Sequence, residues 1–383
     1  MKFVPAGIDQ IMFFTVVALV AIGLVMVFSA SSVISLEDYG NKFHFFQRQV
    51  IFTVVGGVGM FFFSLLNYRR LKTVAYPVTV VAFILLIGIH IPSVGVSVRG
   101  ATRWLQLGPV RLTPSVIAEF ALILYLAHYL SVNSEKRESF KDYVLPCLGV
   151  LGIAFLLILK QPDLSSAVIL VVVSVVVITV AYKNLKVMGG IVVAGCVALV
   201  GLVAIDPMRF RRVAAFINPW EDRFGAGYHV VQSMLALGSG GFMGVGLGQS
   251  RQKFEYLPDA FTDFIFAVVG EELGFVGAMV VVCLFLVLVW RGIKASIAAP
   301  DLFGMFLGFG LTVAIGFQAW LNIAVVIGCM PTTGVALPFI SYGGTSLVLF
   351  MCASGILLNI AFAGANARYS RGTGKWGRTS AEI

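Results

Sequence analysis

The sequence predicts an all-α polytopic integral membrane protein of about ten transmembrane helices, with a large extracytoplasmic loop between helices 7 and 8. Hydrophobic residues make up 59% of the chain, charged residues 12%, and the mean hydropathy is +0.97, whereas soluble domains carry about 25% charged residues. The apolar residues fall in runs of roughly 17 to 25, the length of helix that crosses about 30 Å of hydrocarbon. These runs do not alternate as the strands of a membrane barrel would, which indicates helices.

The short charged loops between the apolar runs delimit the spans. We predict spans at residues 10–30, 49–66, 72–91, 112–131, 143–159, 164–182, 186–205, 263–290, 301–327 and 345–363. An even number of spans places both termini on one side, and with the N-terminus inside more than half of the 27 Lys and Arg residues lie in cytoplasmic segments. The positive-inside rule therefore predicts cytoplasmic termini. The same rule accounts for the net charge of +9, so the charge does not indicate a nucleic-acid partner.

We expect a single transmembrane domain over residues 1–383, without an internal repeat. Segment 206–262 is the large extracytoplasmic loop, and residues 364–383 are expected to form a short, basic, disordered cytoplasmic tail. The first apolar run is too long for the hydrophobic part of a signal peptide, so we expect it to be retained as a helix. The five cysteines show no metal-ligand spacing, which favours small buried apolar residues.

Segment 206–262 is longer than an ordinary connection, which indicates a structural or functional role. It contains an arginine cluster, an acidic pair, a predicted amphipathic helix and a Gly-rich turn: Arg209, Arg211 and Arg212; Glu221 and Asp222; 228–237; and 238–248. The arginines either lie at the lipid headgroups or bind an anionic group such as a pyrophosphate. The glycines of the turn are not a dinucleotide fingerprint, because they do not follow a strand.

Asp263 lies where the chain enters the eighth predicted span from outside. One interpretation is that Asp263 or Thr262 caps the start of this helix. The other is that Asp263 is a carboxylate at the rim of an outward cavity, acting as a general base or a metal ligand. The sequence leaves both interpretations open.

Glu271 and Glu272 lie about 12 Å deeper in the same span, given a rise of about 1.5 Å per residue. A carboxylate at that depth costs a few kcal/mol unless it is partnered, protonated or hydrated. The two side chains point about 100° apart, so at least one of them must face a polar interior. A structural hydrogen bond between helices is the alternative to a functional role.

Three other outer segments carry polar or irregular sequence. The loop at 99–109 contains Arg103 and Trp104, which suit either an aromatic-belt anchor or the binding of an anionic headgroup. The turn at 160–163 carries a Lys–Asp pair that is either structural or functional. Residues 331–346 contain prolines and glycines and are expected to form an irregular or re-entrant segment beside a cavity, because irregular backbone is not tolerated against lipid.

These outward segments, in this order, resemble the SEDS family of bacterial cell-wall proteins (shape, elongation, division and sporulation). The resemblance covers nearly the whole chain and is carried by residues 100–109, 161–164, 218–236, 244–274 and 331–346. Within these segments, the amino-acid sequence at 218–222, 246–253 and 269–272 is more similar to the division member of the family than to its elongation member.

The resemblance implies a peptidoglycan glycosyltransferase that polymerises lipid II, a lipid-linked disaccharide-pentapeptide, at the outer face of the bacterial cytoplasmic (inner) membrane during septal wall synthesis. It implies a class B penicillin-binding protein as the crosslinking partner, with other divisome membrane proteins and membrane lipids as neighbours. The family's essential acid matches Asp263. That residue would deprotonate the 4-hydroxyl of the acceptor sugar or hold a divalent cation (Mg²⁺ or Mn²⁺) near the donor pyrophosphate.

We expect one set of residues to contact the substrate: Arg103, Trp104, Arg212, Lys253, Glu255, Pro258, Ser341, Gly343, Gly344 and Thr345. A second set is expected to form a structural polar interior: Glu119, Asp163, Glu271 and Glu272. A lipid II flippase and a non-catalytic scaffold that activates the penicillin-binding protein are the alternative functions. The concentration of polar chemistry on one face, without a sequence repeat, argues against the flippase.

The chain departs from the usual family pattern in three places. Family members usually have an acid and, three residues later, a lysine where this chain has Val116 and Glu119. They usually have Gln where this chain has His229, and commonly Gly where it has Ser165. In the first departure the lysine is missing and Glu119 has no such local partner, which affects the expected packing of the fourth helix and the polar wall of the cavity.

Overall fold

The computed structural model describes residues 9–91, 95–98, 101–107, 110–250 and 260–372. Within these residues, ten helices are long and apolar enough to cross a membrane, and each overlaps one of the ten predicted spans. The predicted fold class is therefore confirmed, with the addition of a small β-sheet.

The elements follow one another along the chain as long helices interrupted by that sheet. The helices are α1 (Gln10–Tyr39), α2 (His44–Leu65), α3 (Leu71–Gly88), α4 (Pro114–Val132), α5 (Leu145–Leu159), α6 (Leu164–Ala181), α7 (Leu185–Ile205), α8 (Pro207–Ile217), α9 (Tyr228–Gly240), α10 (Ile265–Ala298), α11 (Leu302–Val326) and α12 (Gly344–Gly372). The strands are β1 (Gly95–Val98), β2 (Ala101–Leu107) and β3 (Val110–Leu112), antiparallel with β2 in the middle. A 3₁₀ turn (Tyr68–Arg70) leads into α3, and a π-helical turn (Phe140–Val144) leads into α5.

Aspartate caps and a left-handed glycine set several helix ends. Asp9, Asp163 and Asp301 accept hydrogen bonds from backbone N–H groups in the first turns of α1, α6 and α11. Each cap supplies an acceptor to a donor that the helix itself leaves unpaired. Helix α1 ends at Gly40, whose φ of 66° lies in the region that glycine adopts without a Cβ clash.

Helices α4, α11 and α12 form the centre of the bundle, since more than half of each is buried inside the protein. Helix α12 packs along α2, and α10 packs against α11 and α1. Helix α7 lies at the periphery, with nearly all of its apolar surface exposed. Lipid is the solvent that such a surface requires.

The long helix α10 is interrupted at Gly274, whose φ of 69° is not helical. Segment 241–248 packs against this break. A Cβ atom on Gly274 would lie 2.2 Å from the backbone nitrogen of Gly244, and one on Gly244 would lie 2.2 Å from the Glu272 carbonyl oxygen. The glycines therefore allow two backbones to touch, and the predicted Gly-rich turn is part of the packed bundle.

The segments between spans contain more regular structure than predicted. The sheet occupies residues that we expected to form a loop, because valine, threonine and tryptophan there favour strands. Helix α8 begins where Asp206 accepts hydrogen bonds from the backbone N–H groups of Met208 and Arg209. Helix α9 confirms the amphipathic helix predicted at 228–237.

The last helix runs to Gly372, so the prediction of a disordered tail from residue 364 is wrong for its first part. Residues 364–372 contain no proline, and nothing else in them ends a helix. Gly364 also keeps this turn packed on α10, since a Cβ atom there would lie 2.6 Å from the Ala298 carbonyl oxygen.

Candidate functional site

A cavity of about 370 Å³ lies at the end of the bundle where α4, α6, α10 and α12 begin and α1 ends. The sequence-predicted residues that line it are Asp263, Arg103, Trp104, Gly343, Gly344, Thr345, Glu119 and Asp163. Segments far apart in the sequence thus converge on one site, as expected from their common position outside the spans.

Asp263 lies in the turn that precedes α10, and three hydrogen bonds hold this turn from behind. The Ser341 hydroxyl donates to the Thr262 carbonyl at 2.5 Å. The backbone N–H of Tyr342 donates to the Phe261 carbonyl at 2.9 Å. The Asn322 amide donates to the backbone carbonyl of Asp263 itself at 2.7 Å. These three bonds fix the backbone of the turn.

Asp263 directly precedes the N-cap residue of α10. That residue is Phe264, which makes no side-chain capping bond, and the interpretation of Asp263 or Thr262 as a cap stays a prediction. The carboxylate lies beside Gly334, where an added Cβ atom would be 3.4 Å from Asp263 Oδ2 and 3.8 Å from Arg103 Nη1. Gly334 thus leaves room for the acid and the guanidinium to share one side of the cavity.

A β-bulge directs Arg103. Val96 pairs with Trp104 and Ser97 pairs with Thr102, so Arg103 is the extra residue on β2. Bulges commonly redirect a side chain next to a functional site. The Arg103 guanidinium donates to the Pro162 carbonyl at 2.8 Å.

Asp163 joins the sheet to α6. Its carboxylate accepts from the N–H and the hydroxyl of Ser166, at 3.2 and 2.6 Å. It lies 3.8 Å from Arg103 Nη2, so its ionic partner is Arg103 and not Lys160 of the same turn. Through these contacts Asp163 shapes the cavity and positions Arg103.

Two further arginines line the cavity and were not among the predicted site residues. Arg48 belongs to α2 and Arg111 to β3, and Thr345 ties β3 to α12 by donating to the Arg111 carbonyl at 3.1 Å. Burial raises the pKa of the Tyr342 phenol, although a hydrogen bond from Arg48 acts in the opposite direction. With Arg103, these side chains provide the positive charge that a pyrophosphate requires.

The family departures have structural counterparts. The Ser165 hydroxyl donates to the Thr333 carbonyl at 2.7 Å, which connects α6 to the segment 331–346. The His229 ring stacks on Phe264 with ring centres 5.4 Å apart. Glu119 lies in the cavity wall, 6% exposed, and its Oε1 has no hydrogen-bond partner among the described residues.

Glu271 and Glu272 lie away from the cavity and are buried. The Ser29 hydroxyl donates to both oxygens of Glu272 at 2.6 and 2.7 Å, and the Ser250 N–H donates to Oε1 at 3.3 Å. The Ser250 hydroxyl donates to Glu271. These contacts place both acids in the polar packing between α1, α10 and the segment before residue 250.

The other predicted substrate contacts either do not line the cavity or lie outside the described residues. Ser341 is buried behind the Asp263 turn, where it also accepts from the Leu337 N–H at 2.8 Å. Arg212 lies on α8 outside the cavity lining, and its pKa is lowered by burial and then by the positive charge of Arg103. Lys253, Glu255 and Pro258 lie outside the described residues.

Asn322 is the structural residue that sequence reasoning missed. It is 1% exposed on α11, and besides Asp263 its amide donates to the Val335 carbonyl at 2.6 Å. A polar side chain inside an apolar span is expensive and usually has a specific partner. That rule could have pointed to Asn322 from the sequence.

A family model described as a cell cycle protein, and named for FtsW, RodA and SpoVE, matches residues 9–365. The chain belongs to this family. Among its relatives, stage V sporulation protein E of Bacillus subtilis is 41% identical over 363 residues, covering 95% of this chain and 98% of the relative. A probable peptidoglycan glycosyltransferase FtsW of Geobacter sp. is 41% identical over 358 residues, covering 93% of this chain and 97% of the relative.

Solved structures of the FtsW/RodA/SpoVE family share the fold. A chain from a structure describing how a peptidoglycan synthase complex coordinates polymerization and crosslinking is 28% identical, with a TM-score of 0.75, covering 95% of this chain and 99% of that one. The rod shape determining protein RodA of Thermus thermophilus is also 28% identical, with a TM-score of 0.68 and the same coverage.

These comparisons confirm the predicted family and the predicted enzyme class, a peptidoglycan glycosyltransferase. Together with the ten apolar helices, they make the chain a multi-pass protein of the bacterial inner membrane.

Proposed function

We propose that this chain polymerises lipid II into glycan strands at the outer face of the cytoplasmic membrane, for septal wall synthesis in cell division. The observation that carries the proposal is the Asp263 turn, whose backbone is held by Asn322 and Ser341 while its carboxylate lies in a cavity with Arg103. A preorganised acid among arginines is suited to a reaction that moves one proton and releases a pyrophosphate.

In the proposed reaction, the 4-oxygen of the acceptor sugar attacks C1 of the donor sugar. The hydroxyl proton passes to the Asp263 carboxylate, the new glycosidic bond forms, and the bond from C1 to the pyrophosphate oxygen breaks. The electron pair of that bond leaves on the lipid pyrophosphate. Arg103, with Arg48 and Arg111 of the same cavity, balances the negative charge of this leaving group.

A divalent cation, Mg²⁺ or Mn²⁺, fits the site only if oxygen atoms of the substrate pyrophosphate supply some of its ligands. The described residues contain no group of three His, Cys, Asp or Glu side chains that could hold a metal. Mg²⁺ is commonly held by one or two carboxylates together with substrate phosphates, and Asp263 would supply that carboxylate here. When bound, the cation would neutralise charge on the pyrophosphate. Loss of polymer in a chelator, restored by Mg²⁺ or Mn²⁺, would test this part.

The proposed orientation places both termini in the cytoplasm and the cavity outside. The positive-inside rule supports it. The partners that we propose are a class B penicillin-binding protein, which would crosslink the product, and other divisome membrane proteins. A relative in a peptidoglycan synthase complex that couples polymerization to crosslinking supports the first of these. Labelling of single cysteines placed at Thr345 and at Lys294 with an impermeant reagent on intact cells should modify the first and spare the second.

The deciding experiment is a polymerisation assay with purified lipid II and the complex of this chain with its penicillin-binding protein. We expect glycan polymer from the wild type and a loss of about 10² to 10⁴-fold in rate for Asp263→Ala. The matched control is Glu221→Ala, which removes an exposed acid of the outer segment outside the cavity lining. An active Asp263→Ala enzyme would refute the role of the acid. A complex that never makes polymer would favour the scaffold, and lipid II crossing liposomes without polymer would favour the flippase.

A further inference from the structure

Two buried polar atoms in the wall of the cavity have no hydrogen-bond partner among the described residues. Ser115 and Glu119 belong to α4 and are 2% and 6% exposed. Among the described residues, neither the Ser115 Oγ nor the Glu119 Oε1 makes a hydrogen bond. The two residues are four apart on one helix, so they lie on the same face one turn apart. Both line the cavity.

Burying two unpaired polar atoms costs free energy unless a molecule in the cavity forms hydrogen bonds with them. More than nine-tenths of buried polar groups in proteins have a hydrogen-bond partner. The cost of an unpartnered group rises in the low-dielectric interior of a membrane protein. Glu272 shows how this chain treats a buried acid used for packing, since its carboxylate receives hydrogen bonds from Ser29 and Ser250. Glu119 Oε1, in contrast, receives no hydrogen bond from the described residues.

We propose that Ser115 and Glu119 form a subsite that receives a hydrogen-bond donor of the bound sugar, either a hydroxyl or an acetamide N–H. This inference rests on the proposed function, because it assigns part of a lipid-linked sugar to one wall of the same cavity. A carboxylate is an acceptor of up to four hydrogen bonds, and a serine hydroxyl both accepts and donates. Sugar hydroxyls match that pair.

The position of the subsite separates it from the groups that would hold the pyrophosphate. Arg103 and Arg111 come from the sheet, whereas Ser115 and Glu119 come from the first two turns of α4. The positive charge of the arginines would attract an anion to their side of the cavity. The sugar and the pyrophosphate of one substrate can therefore occupy different walls.

The test compares two lipids that differ only in the sugar. Affinities of purified wild type and Glu119→Leu are measured for lipid II and for the polyprenyl pyrophosphate without sugars. We expect Glu119→Leu to weaken the binding of lipid II by about ten-fold or more and to leave the sugar-free lipid within two-fold. Ser115→Ala should act in the same direction, and the double variant should lose less than the product of the two single losses, because both contact one group.

A stability measurement separates ligand binding from packing. Because Glu119 Oε1 has no hydrogen-bond partner among the described residues, Glu119→Leu should leave the thermal midpoint of the substrate-free protein unchanged or higher. The matched control is Glu272→Gln, which changes a buried acid with protein partners and should lower the midpoint without changing the preference for lipid II.

Each outcome decides the inference. Equal loss of both lipids in Glu119→Leu, no loss of either, or a wild type that binds both equally would overturn the sugar subsite. A complex that binds lipid II through Glu119 and yet makes no polymer would keep the subsite and refute the proposed polymerase.

Discussion

The buried acids of α10 and the buried acid of α4 illustrate two different uses of a carboxyl group inside one helix bundle. Glu271 and Glu272 are 2% and 1% exposed and are reached by hydrogen bonds from two serines. Glu119 is 6% exposed, faces a cavity and has an oxygen without a partner among the described residues. Burial is nearly the same in both places. The location of the partners therefore distinguishes an acid that packs helices from one that is available to a ligand.

The largest expected effect is on the packing side of this comparison. Glu272→Ala removes the acceptor of the Ser29 hydroxyl and the Ser250 N–H and leaves a cavity between α1 and α10. We expect the free energy of unfolding to fall by about 3 to 4 kcal/mol. Thermal unfolding in detergent, followed with and without lipid II, measures the change.

The contrast with α4 supplies the control for that prediction. Glu119→Leu should not lower the thermal midpoint, since Glu119 Oε1 receives no hydrogen bond from the part of the chain that the structure describes. If both variants are destabilised to the same extent, the distinction between the two regions fails.

Asn322 is a buried polar group of a third kind, because its partners are the backbone carbonyls of Asp263 and Val335. Asn322→Leu leaves both carbonyls unpaired and should cost about 2 kcal/mol of stability. It should also lower kcat about ten-fold, because the Asp263 turn loses its tether and the acid is less well positioned. Polymerisation kinetics with the penicillin-binding protein present would show this as a fall in kcat with little change in KM. A rise in KM at constant kcat would instead mean that Asn322 serves substrate binding.

A substitution that gives Glu119 a protein partner would make α4 resemble α10. Val116 lies one turn before Glu119 and lines the same cavity, so Val116→Lys can place an ammonium group beside the carboxylate. We expect the affinity for lipid II to fall a few-fold, because the new ion pair competes with the sugar, while the thermal midpoint stays within a few degrees. Val116→Met, which adds a similar length without charge, is the matched control. Tighter binding of lipid II in Val116→Lys would contradict the sugar subsite.

The sequence was sufficient to predict the ten spans because their physical requirement is simple. A helix in lipid must be apolar over its whole length and must satisfy its own backbone, and both properties are visible in a single sequence. The sheet formed by β1 to β3 was missed because its strands are short and pair with one another outside any long apolar run. The break at Gly274 was missed for another reason, since it depends on contact with Gly244, thirty residues earlier.

The candidate site was predicted in part. Asp263 was found because it lies at the outer end of a predicted span and matches the essential acid of the family that the sequence resembles. Arg103 and Thr345 were found because they lie in outer segments that carry the same resemblance. Ser341 was assigned to the substrate, yet it bonds the Thr262 carbonyl, because sequence position does not tell on which side of a turn a hydroxyl points. Arg48 was missed because an arginine near the start of a span usually serves as a membrane anchor, and only the three-dimensional fold places it beside Tyr342.

The smallest expected effect concerns Asp301, an acid with protein partners at the start of α11, which is partly reachable by solvent. Burial raises the pKa of the Asp301 carboxyl. Hydrogen bonds from the Gly304 N–H, Arg69 and Tyr68 lower this pKa by more than burial raises it, so the pKa lies below its usual value. A carboxyl whose pKa is depressed in the folded state stabilises the protein at pH values above its unfolded pKa, and this contribution is lost as the pH falls through the folded value. Asp301→Asn keeps a side chain that can cap α11 and removes the charge.

We therefore expect wild type to be more stable than Asp301→Asn by less than about 1 kcal/mol near neutral pH. The difference should begin to shrink as the pH falls below about 4 and should continue to shrink towards the lower pKa of the folded state, as thermal unfolding of both proteins across pH 2 to 7 would show. A constant difference over that range would mean that the capping bond, and not the ion pair with Arg69, carries the interaction.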